Sequence, residues 1–262
     1  MEPPPAEKVL FQIEAPVALV TMNDPAIRNA LSPEMVASLH AALDRVEKEP
    51  QLEVVILTGQ GKAFSAGVDL NVLRRMTSHS VEQARQDSRR LRDLFERIYL
   101  FPRPVIAAVN GAAVAGGCGL MSVCDLALAA PEAKFSYSEV KVGFIPAIVT
   151  VFLLRQVGEK IAKELLFTGK MIDAEQALHY QLINEVVPAE SLLGRARELA
   201  VEIAANSPEG VRLTKELLAR LQGVELFEAL DSAVNLNSLV RTTENFREGV
   251  AAFLEKRKPK WK

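Results

Sequence analysis

Asn110-Gly111-Ala112-Ala113-Val114-Ala115-Gly116-Gly117-Cys118-Gly119-Leu120 follows directly on Val105-Ile106-Ala107-Ala108-Val109. The first five residues of that join are apolar, β-branched or small, and bounded by Pro104, the pattern of a buried strand. Glycines at 111, 116, 117 and 119 then end the strand and let a ligand or another segment come close to the main chain. They also open a short helix, whose first N–H groups have no acceptor within the helix. A strand passing through a glycine loop into a helix is a unit of an α/β layer fold.

The units on either side repeat this order. Residues 9–22 read as two short strands broken at Ala15-Pro16. Ser32-Pro33-Glu34 opens a helix, with Ser as the cap, Pro at its first position and an acid near its positive end. Val36, Leu39, Leu43 and Val46 recur at helical spacing along its buried face. Val54-Val55-Ile56-Leu57 is a buried strand ended by Gly59 and Gly61. A loop over 62–70 follows, then a polar helix from about Val81 to Tyr99. Strand, turn and helix repeat with a period near 50, so stacked turns of strands with helices packed outside are expected. After Val187-Pro188 the strand pattern stops. Residues 189–205, 208–222 and 225–256 read as helices. The boundary is therefore expected near residue 190, with an α/β core over 1–190 and a helical region over 191–262.

Composition bounds the function. The 262 residues are 49% hydrophobic and 24% charged, with formal net charge -2, which excludes disordered, collagen-like and disulfide-framework chains. Near-neutral charge argues against general nucleic-acid binding. One Trp and three Tyr are too few for base-stacking platforms. The arginines at 85, 89, 90, 92 and 97 are interleaved with Asp87, Asp93 and Glu96, as on a solvated, ion-paired helix face. The nearly uncharged stretch from Pro104 to Cys124 carries too many glycines for a membrane helix. The N-terminal residues lack the basic start and apolar core of a signal peptide, so the expected location is cytoplasmic. Cys118 and Cys124 read as buried reduced thiols. No second cysteine pair completes a zinc site.

The chemistry-bearing motifs are few. The chain has no G-x-S-x-G, no H-E-x-x-H and no complete phosphate loop at Gly59-Gln60-Gly61-Lys62. His40, His79 and His179 have no Ser or Cys partner nearby in sequence, and packing or surface roles are expected of them. The informative pair is the glycine loop at 110–120 and a second segment, Phe64-Ser65-Ala66-Gly67-Val68-Asp69-Leu70. One N–H from each could converge on a developing oxyanion.

In order and context these segments resemble the crotonase superfamily, the enoyl-CoA hydratase/isomerase enzymes. Arg28-Asn29-Ala30-Leu31-Ser32 is similar to the family's early CoA-contact stretch. Ser65 to Leu70 resembles its A-G-x-D motif, and Asn110-Gly111 to Gly116-Gly117 its N-G-x-x-x-G-G loop. Ala133-Lys134-Phe135, leading to Glu139 and Gly143, is similar to the next segment. Phe253-Leu254-Glu255-Lys256-Arg257 is similar to the C-terminal helix. The resemblance spans nearly the whole chain and implies a spiral of ββα turns with a helical C-terminal trimerisation region. It implies a homotrimer or a hexamer of two trimers, a CoA thioester as substrate, and no separate cofactor. The backbone amides of Val68 and Gly116 are then the oxyanion hole, and Gly117 is a substrate-binding position. Arg28, Ala30, Ala66, Asp69 and Leu70 match CoA-lining positions. Phe253 and Lys256 match positions that reach a neighbouring subunit's CoA.

The chain departs from the pattern at one catalytic position. Family hydratases place two Glu side chains around the attacking water. Here the first position is Gly119 and only the second, Glu139, is a carboxylate. Ala147 stands where the family has a glycine; the dehalogenase branch would need Asp there. Hydration wants both a base and an acid, whereas moving a double bond from the 3- to the 2-position needs one shuttling base. The expectation is an enoyl-CoA hydratase/isomerase with Glu139 as its single acid–base, the two reactions being left open. A thioester hydrolase of the same family and a non-catalytic acyl-CoA-binding paralogue are the alternatives.

Overall fold

A computed structural model of the chain describes residues 7–67 and 70–262. The two expected segments 9–22 form a hairpin, β1 (Val9–Glu14) and β2 (Val17–Met22), joined through a cis Ala15-Pro16 bond. Helix α1 (Pro33–Lys48) starts at Ser32, whose hydroxyl accepts from the Met35 N–H at 3.1 Å. Three turns of the spiral follow. The first is β3 (Val54–Gly59), β4 (Ala63–Ser65), α2 (Leu70–Met76) and α3 (Val81–Tyr99). The second is β5 (Val105–Val109), β6 (Ala112–Val114) and α4 (Gly116–Ser122). The third is β7 (Leu126–Ala129), β8 (Lys134–Ser136), a 3-10 turn at Glu139–Val142, then α5 (Ala147–Gln156) and α6 (Glu159–Thr168). Strand β9 (Ile172–Asp173), helix α7 (Ala174–His179) and strand β10 (Glu185–Val186) complete the core.

Each turn gives one strand to each of two sheets. The larger sheet runs β1-β2-β3-β5-β7-β10, parallel from β2 onward. The smaller runs β4-β6-β8-β9, with only β8–β9 antiparallel. Alternation along the strands divides the interior into two cores. Val55, Leu57, Ala107 and Val109 face the space packed by α1 and α3 and closed by Phe64 and Phe135. Val54, Ile56, Ile106 and Ala108 face the opposite way, onto Leu192, Ala196 and Ala200 of α8 (Leu192–Ala204). A strand buried on both faces has no polar side to show, which explains the unbroken apolar runs at 54–57 and 105–109.

Two sequence readings are corrected. The loop at 62–70 and the glycine segment at 110–120 each contain a three-residue strand, which the residue pattern did not show and only the resemblance's ββα turns implied. The period near 50 holds once, since β3 and β5 start at 54 and 105, but β7 starts at 126. The seven-residue α4 replaces the long helical excursion of the previous turn and shortens the repeat.

Beyond α8 the chain is helical: α9 (Pro208–Arg220), α10 (Leu226–Val240) and α11 (Glu244–Leu254). Ser207 caps α9, as read from Ser207-Pro208. Lys215 fastens α9 to the core, donating to Asp125 at 2.7 Å and to the carbonyls of Ile98 and Arg103. No residue of α10 is buried, and it exposes Leu226, Phe227, Leu230, Val234 and Leu239.

Candidate functional site

The two glycine segments and the early Arg28-Asn29-Ala30 stretch meet at the edge of the smaller sheet. Asn29 is fully buried and joins the early stretch to residues 60–65. Its Oδ1 accepts from the Asp24 N–H, and its Nδ2 donates to the carbonyls of Gln60 and Ala63 at 3.0 and 2.8 Å. Its own carbonyl accepts from Ser65 Oγ at 2.9 Å. Asn29 and Arg28 both have φ 54, a left-handed conformation that Asn tolerates better than most residues. The Ala66 N–H donates to the Arg28 carbonyl at 2.9 Å, and the Leu31 N–H to the Gly67 carbonyl at 2.6 Å. Arg28 is exposed, Ala30 buried and Ala66 half-buried at this junction.

The glycine loop closes against this junction. Gly117 packs so tightly on the Ser65 carbonyl that no side chain fits there. Gly67, at φ 77, lies against Val114 and Gly116; a Cβ on it would stand 2.6 Å from the Val114 carbonyl and 3.1 Å from the Gly116 nitrogen. Ala115, the residue before α4, is held at φ 49 and ψ -119, a strained setting for a residue with a Cβ. Its N–H donates to the Ser136 carbonyl at 2.7 Å. The backbone is thus over-determined where Gly116 presents its amide at the first position of α4. Val68 and Asp69, assigned to the oxyanion hole and the CoA contacts, lie outside the described residues, and Leu70 is described only as the first residue of α2.

Glu139 approaches from the third turn, three residues past Ser136. It begins the 3-10 turn, which Gly143 ends at φ 73. The Phe144 N–H donates to the Glu139 carbonyl at 3.1 Å. The Glu139 carboxyl is half-buried, and its Oε2 is out of solvent with no hydrogen-bond partner. Burial raises its pKa from the ordinary glutamate value, partly offset by a bond from its own backbone N–H. A raised pKa lets the carboxyl keep its proton more readily, which suits a group that both takes and gives one. Cys118 and Cys124 are buried free thiols pushed far up by burial, which makes them poor nucleophiles.

Position 119 is closed. A Cβ on Gly119 would stand 2.6 Å from Phe95 Cε2 and closer still to Val149 Cγ1. The space beside Gly119, where the resemblance implies a second carboxylate, is filled by an aromatic edge from α3 and a methyl from α5. The sequence alone did not show what fills it. Sequence reading also missed Asn29 as a joint, although a buried amide with every polar group used is what an Asn between two loops can provide. Phe253 and Lys256 lie on and just past α11, with Phe253 83% exposed. No hydrogen bond or ion pair among the described residues links them to this cluster. Much of the basic C-terminal tail is paired internally, Arg257 with Glu248 and Glu255, Lys262 with Glu244.

A profile of the enoyl-CoA hydratase/isomerase family matches residues 12–262. A Thermus thermophilus relative is 49% identical over 245 residues, 94% of this chain and 97% of its own. The short-chain-enoyl-CoA hydratase of Clostridium acetobutylicum is 35% identical over 252 residues, 95% of each chain. The crystal structure of an enoyl-CoA hydratase from Bacillus anthracis superposes with a TM-score of 0.91 at 36% identity, covering 97% of this chain and 99% of the other. The chain belongs to the enoyl-CoA hydratase/isomerase family of enzymes, and its fold is the crotonase fold with a helical C-terminal region.

Proposed function

We propose that the protein is an enoyl-CoA hydratase acting on an acyl-CoA thioester, with Glu139 as its only acid–base. The observation that carries this is the half-buried Glu139 carboxyl, with one unpartnered oxygen, on the turn that follows the strand paired to the Gly116 loop. The Gly116 amide, with that of Val68, holds the thioester oxygen as negative charge develops on it. Losing one such donor typically costs about 2.7–4 kcal/mol of barrier. Glu139 takes a proton from water as the oxygen adds to Cβ, and returns that proton to Cα as the enolate collapses. One carboxyl can do both in sequence, because the proton it takes is the one it gives back. The hydratase relatives support this direction of chemistry.

A second reading, 3-enoyl to 2-enoyl isomerisation, is favoured by the packing at Gly119. An apolar edge there leaves no second acid to share hydration, whereas isomerisation needs only removal of a proton from Cα and its return at Cγ. Purified protein offered a 2-enoyl-CoA and a 3-enoyl-CoA separates the two. Loss of the conjugated thioester absorbance supports hydration, and its gain from the 3-enoyl substrate supports isomerisation. If neither substrate changes, both readings fall.

We also propose that residues 191–262 form the region through which copies of the chain assemble as a trimer or hexamer. The support is the unburied α10 with its row of exposed apolar residues, a face too apolar for a lone chain in water. In such an assembly Phe253 and Lys256 reach a neighbour's CoA, while Arg28, Ala30, Ala66, Asp69, Leu70 and Gly117 line the chain's own. Light scattering that gives the mass of one chain would remove this proposal.

A further inference from the structure

The amide of Gly116 and the carboxyl of Glu139 belong to different turns of the spiral, and two adjacent residues of the third turn tie them together. Ser136 ends β8, and its carbonyl accepts from the Ala115 N–H at 2.7 Å, immediately before α4. Its Oγ donates to the Gly169 carbonyl at 3.0 Å. Tyr137, the next residue, holds the other end of the same helix. Its hydroxyl shares a hydrogen bond with Oγ of Ser122, the last residue of α4, at 3.0 Å. A helix of seven residues is about 10 Å long. It is therefore clamped at both ends by consecutive residues, the second of them two residues before Glu139. Gln156, which closes α5, adds a third hold, donating from Nε2 to the Ser122 carbonyl at 2.6 Å.

Tyr137 and Ser122 are both buried, and Tyr137 packs among Phe135, Leu120 and Cys118 in the larger core. Burial pushes the Tyr137 pKa far up, so its hydroxyl keeps its proton and is not an acid or base of the reaction. Two hydroxyls in an apolar interior are costly unless they bond each other. What the bonded pair adds over apolar packing is direction, because a hydrogen bond weakens steeply away from its preferred angle.

We propose that Tyr137 is a positioning residue: its hydroxyl, through Ser122, sets the tilt of α4 and so the placement of the Gly116 amide relative to the Glu139 carboxyl. This rests on the reading of that amide as half of the oxyanion hole and of Glu139 as the acid–base. The Ala115 bond alone leaves α4 free to swing about its first turn, and the Ser122 bond at the far end removes that freedom. An amide displaced from the developing oxyanion loses transition-state stabilisation and little of the ground-state binding.

The test uses the full-length protein with Tyr137→Phe, Ser122→Ala and the two combined. Butyryl-CoA reports thioester binding. Acetoacetyl-CoA reports the oxyanion hole, because its enolate absorbance appears when the bound thioester oxygen is held as an anion. Turnover of a 2-enoyl-CoA and a 3-enoyl-CoA is read beside them. Tyr137→Phe should lower kcat and kcat/KM together by about tenfold, since even ~1 Å of misplacement costs about 10²-fold. KM and butyryl-CoA affinity should stay within about threefold of the parent's, and the enolate absorbance at saturation should fall. Each single variant leaves one buried hydroxyl unpaired and should melt early. The double variant, apolar on both sides, should regain most of the lost melting temperature, while its kcat and enolate signal stay low. A kcat that returns with the melting temperature overturns the proposal and makes the pair packing only. So does a Tyr137→Phe protein with the parent's kcat, or one that loses kcat and butyryl-CoA affinity equally. A parent that turns over neither thioester, while its enolate signal still falls in Tyr137→Phe, refutes the hydratase reading and leaves the positioning role standing. A parent that binds acetoacetyl-CoA without an enolate signal removes the oxyanion hole, and the positioning role with it.

Discussion

The edge of Phe95 lies against the α-carbon of Gly119, so closely that any side chain at 119 must displace it. That contact reaches from α3 to α4 and, with Val149, leaves no room for a side chain at position 119. Gly119→Ala should therefore destabilise the fold by about 1–3 kcal/mol, the usual penalty for an added methyl in a filled core. Chemical denaturation measures it. Gly119→Ala combined with Val149→Ala should recover part of the loss, because Val149 Cγ1 makes the tightest contact. A Gly119→Ala protein as stable as the parent would show the space to be open.

Glu139→Gln tests the proposed acid–base directly. The amide keeps the shape and removes the titration, so activity should fall by about 10²–10⁴-fold while circular dichroism stays unchanged. In the parent, kcat/KM should fall as pH drops through the Glu139 pKa, since the charged form takes the first proton. Burial raises that pKa, so the acidic limb should lie above the ordinary glutamate value of about 4.3. Stability has the opposite sign. Glu139 binds its proton more tightly when folded, so its contribution is lost as pH rises from the unfolded to the folded pKa. Glu139→Gln should flatten that part of the stability profile. A pH–rate profile with an unmoved limb in the variant would point to another group.

Asn29 concerns geometry without chemistry. Its side chain bonds the backbones of Asp24, Gln60 and Ala63, and its carbonyl takes the Ser65 hydroxyl. Asn29→Ala leaves buried backbone groups unpaired, at about 1–3 kcal/mol for each group orphaned. It also loosens the junction that holds Ala66 and Gly67 against Gly116. KM for an acyl-CoA thioester should rise along with the loss in melting temperature. A variant that melts early but keeps the parent's KM would make Asn29 structural alone.

Long elements were legible in the sequence because their periods are. The buried face of α1 and the double-sided strands at 54–57 and 105–109 come from alternation and helical spacing alone. The smaller sheet was legible only through the resemblance, because β4, β6 and β8 are three residues each and three residues carry no period. They exist as strands only because the spiral brings them side by side. The site divides in the same way. The glycine loops stand out in one dimension by residue type and order, and Glu139 through the resemblance that places it after them. What fills position 119 depends on Phe95, which belongs to a different turn of the spiral and signals nothing by its spacing from Gly119.

Lys215 and Asp125 give the last expectation, on how the C-terminal region is held. The lysine is 10% exposed and the aspartate 27%. Asp125 also accepts from the Val105 N–H at 2.7 Å. Burial raises the Asp125 pKa, and the lysine works against that rise by its charge and its hydrogen bond. Removing the lysine alone, as in Lys215→Met, leaves a mostly buried carboxylate without its partner. The cost should be about 2–3 kcal/mol at pH 7, below the 3–5 kcal/mol of a fully buried pair because some water reaches the aspartate. The cost depends on pH with a definite sign. Where Asp125 is protonated there is no charge to strand, so the penalty should shrink as pH falls and grow as pH rises through the raised pKa. The pH-independent remainder comes from the Ile98 and Arg103 carbonyls, which lose their shared donor. Asp125→Asn with Lys215→Met removes both charges and should show that remainder alone, flat across pH. Denaturation at several pH values separates the two. A Lys215→Met penalty that does not vary with pH would mean that α9 is held by the carbonyl bonds and not by the ion pair.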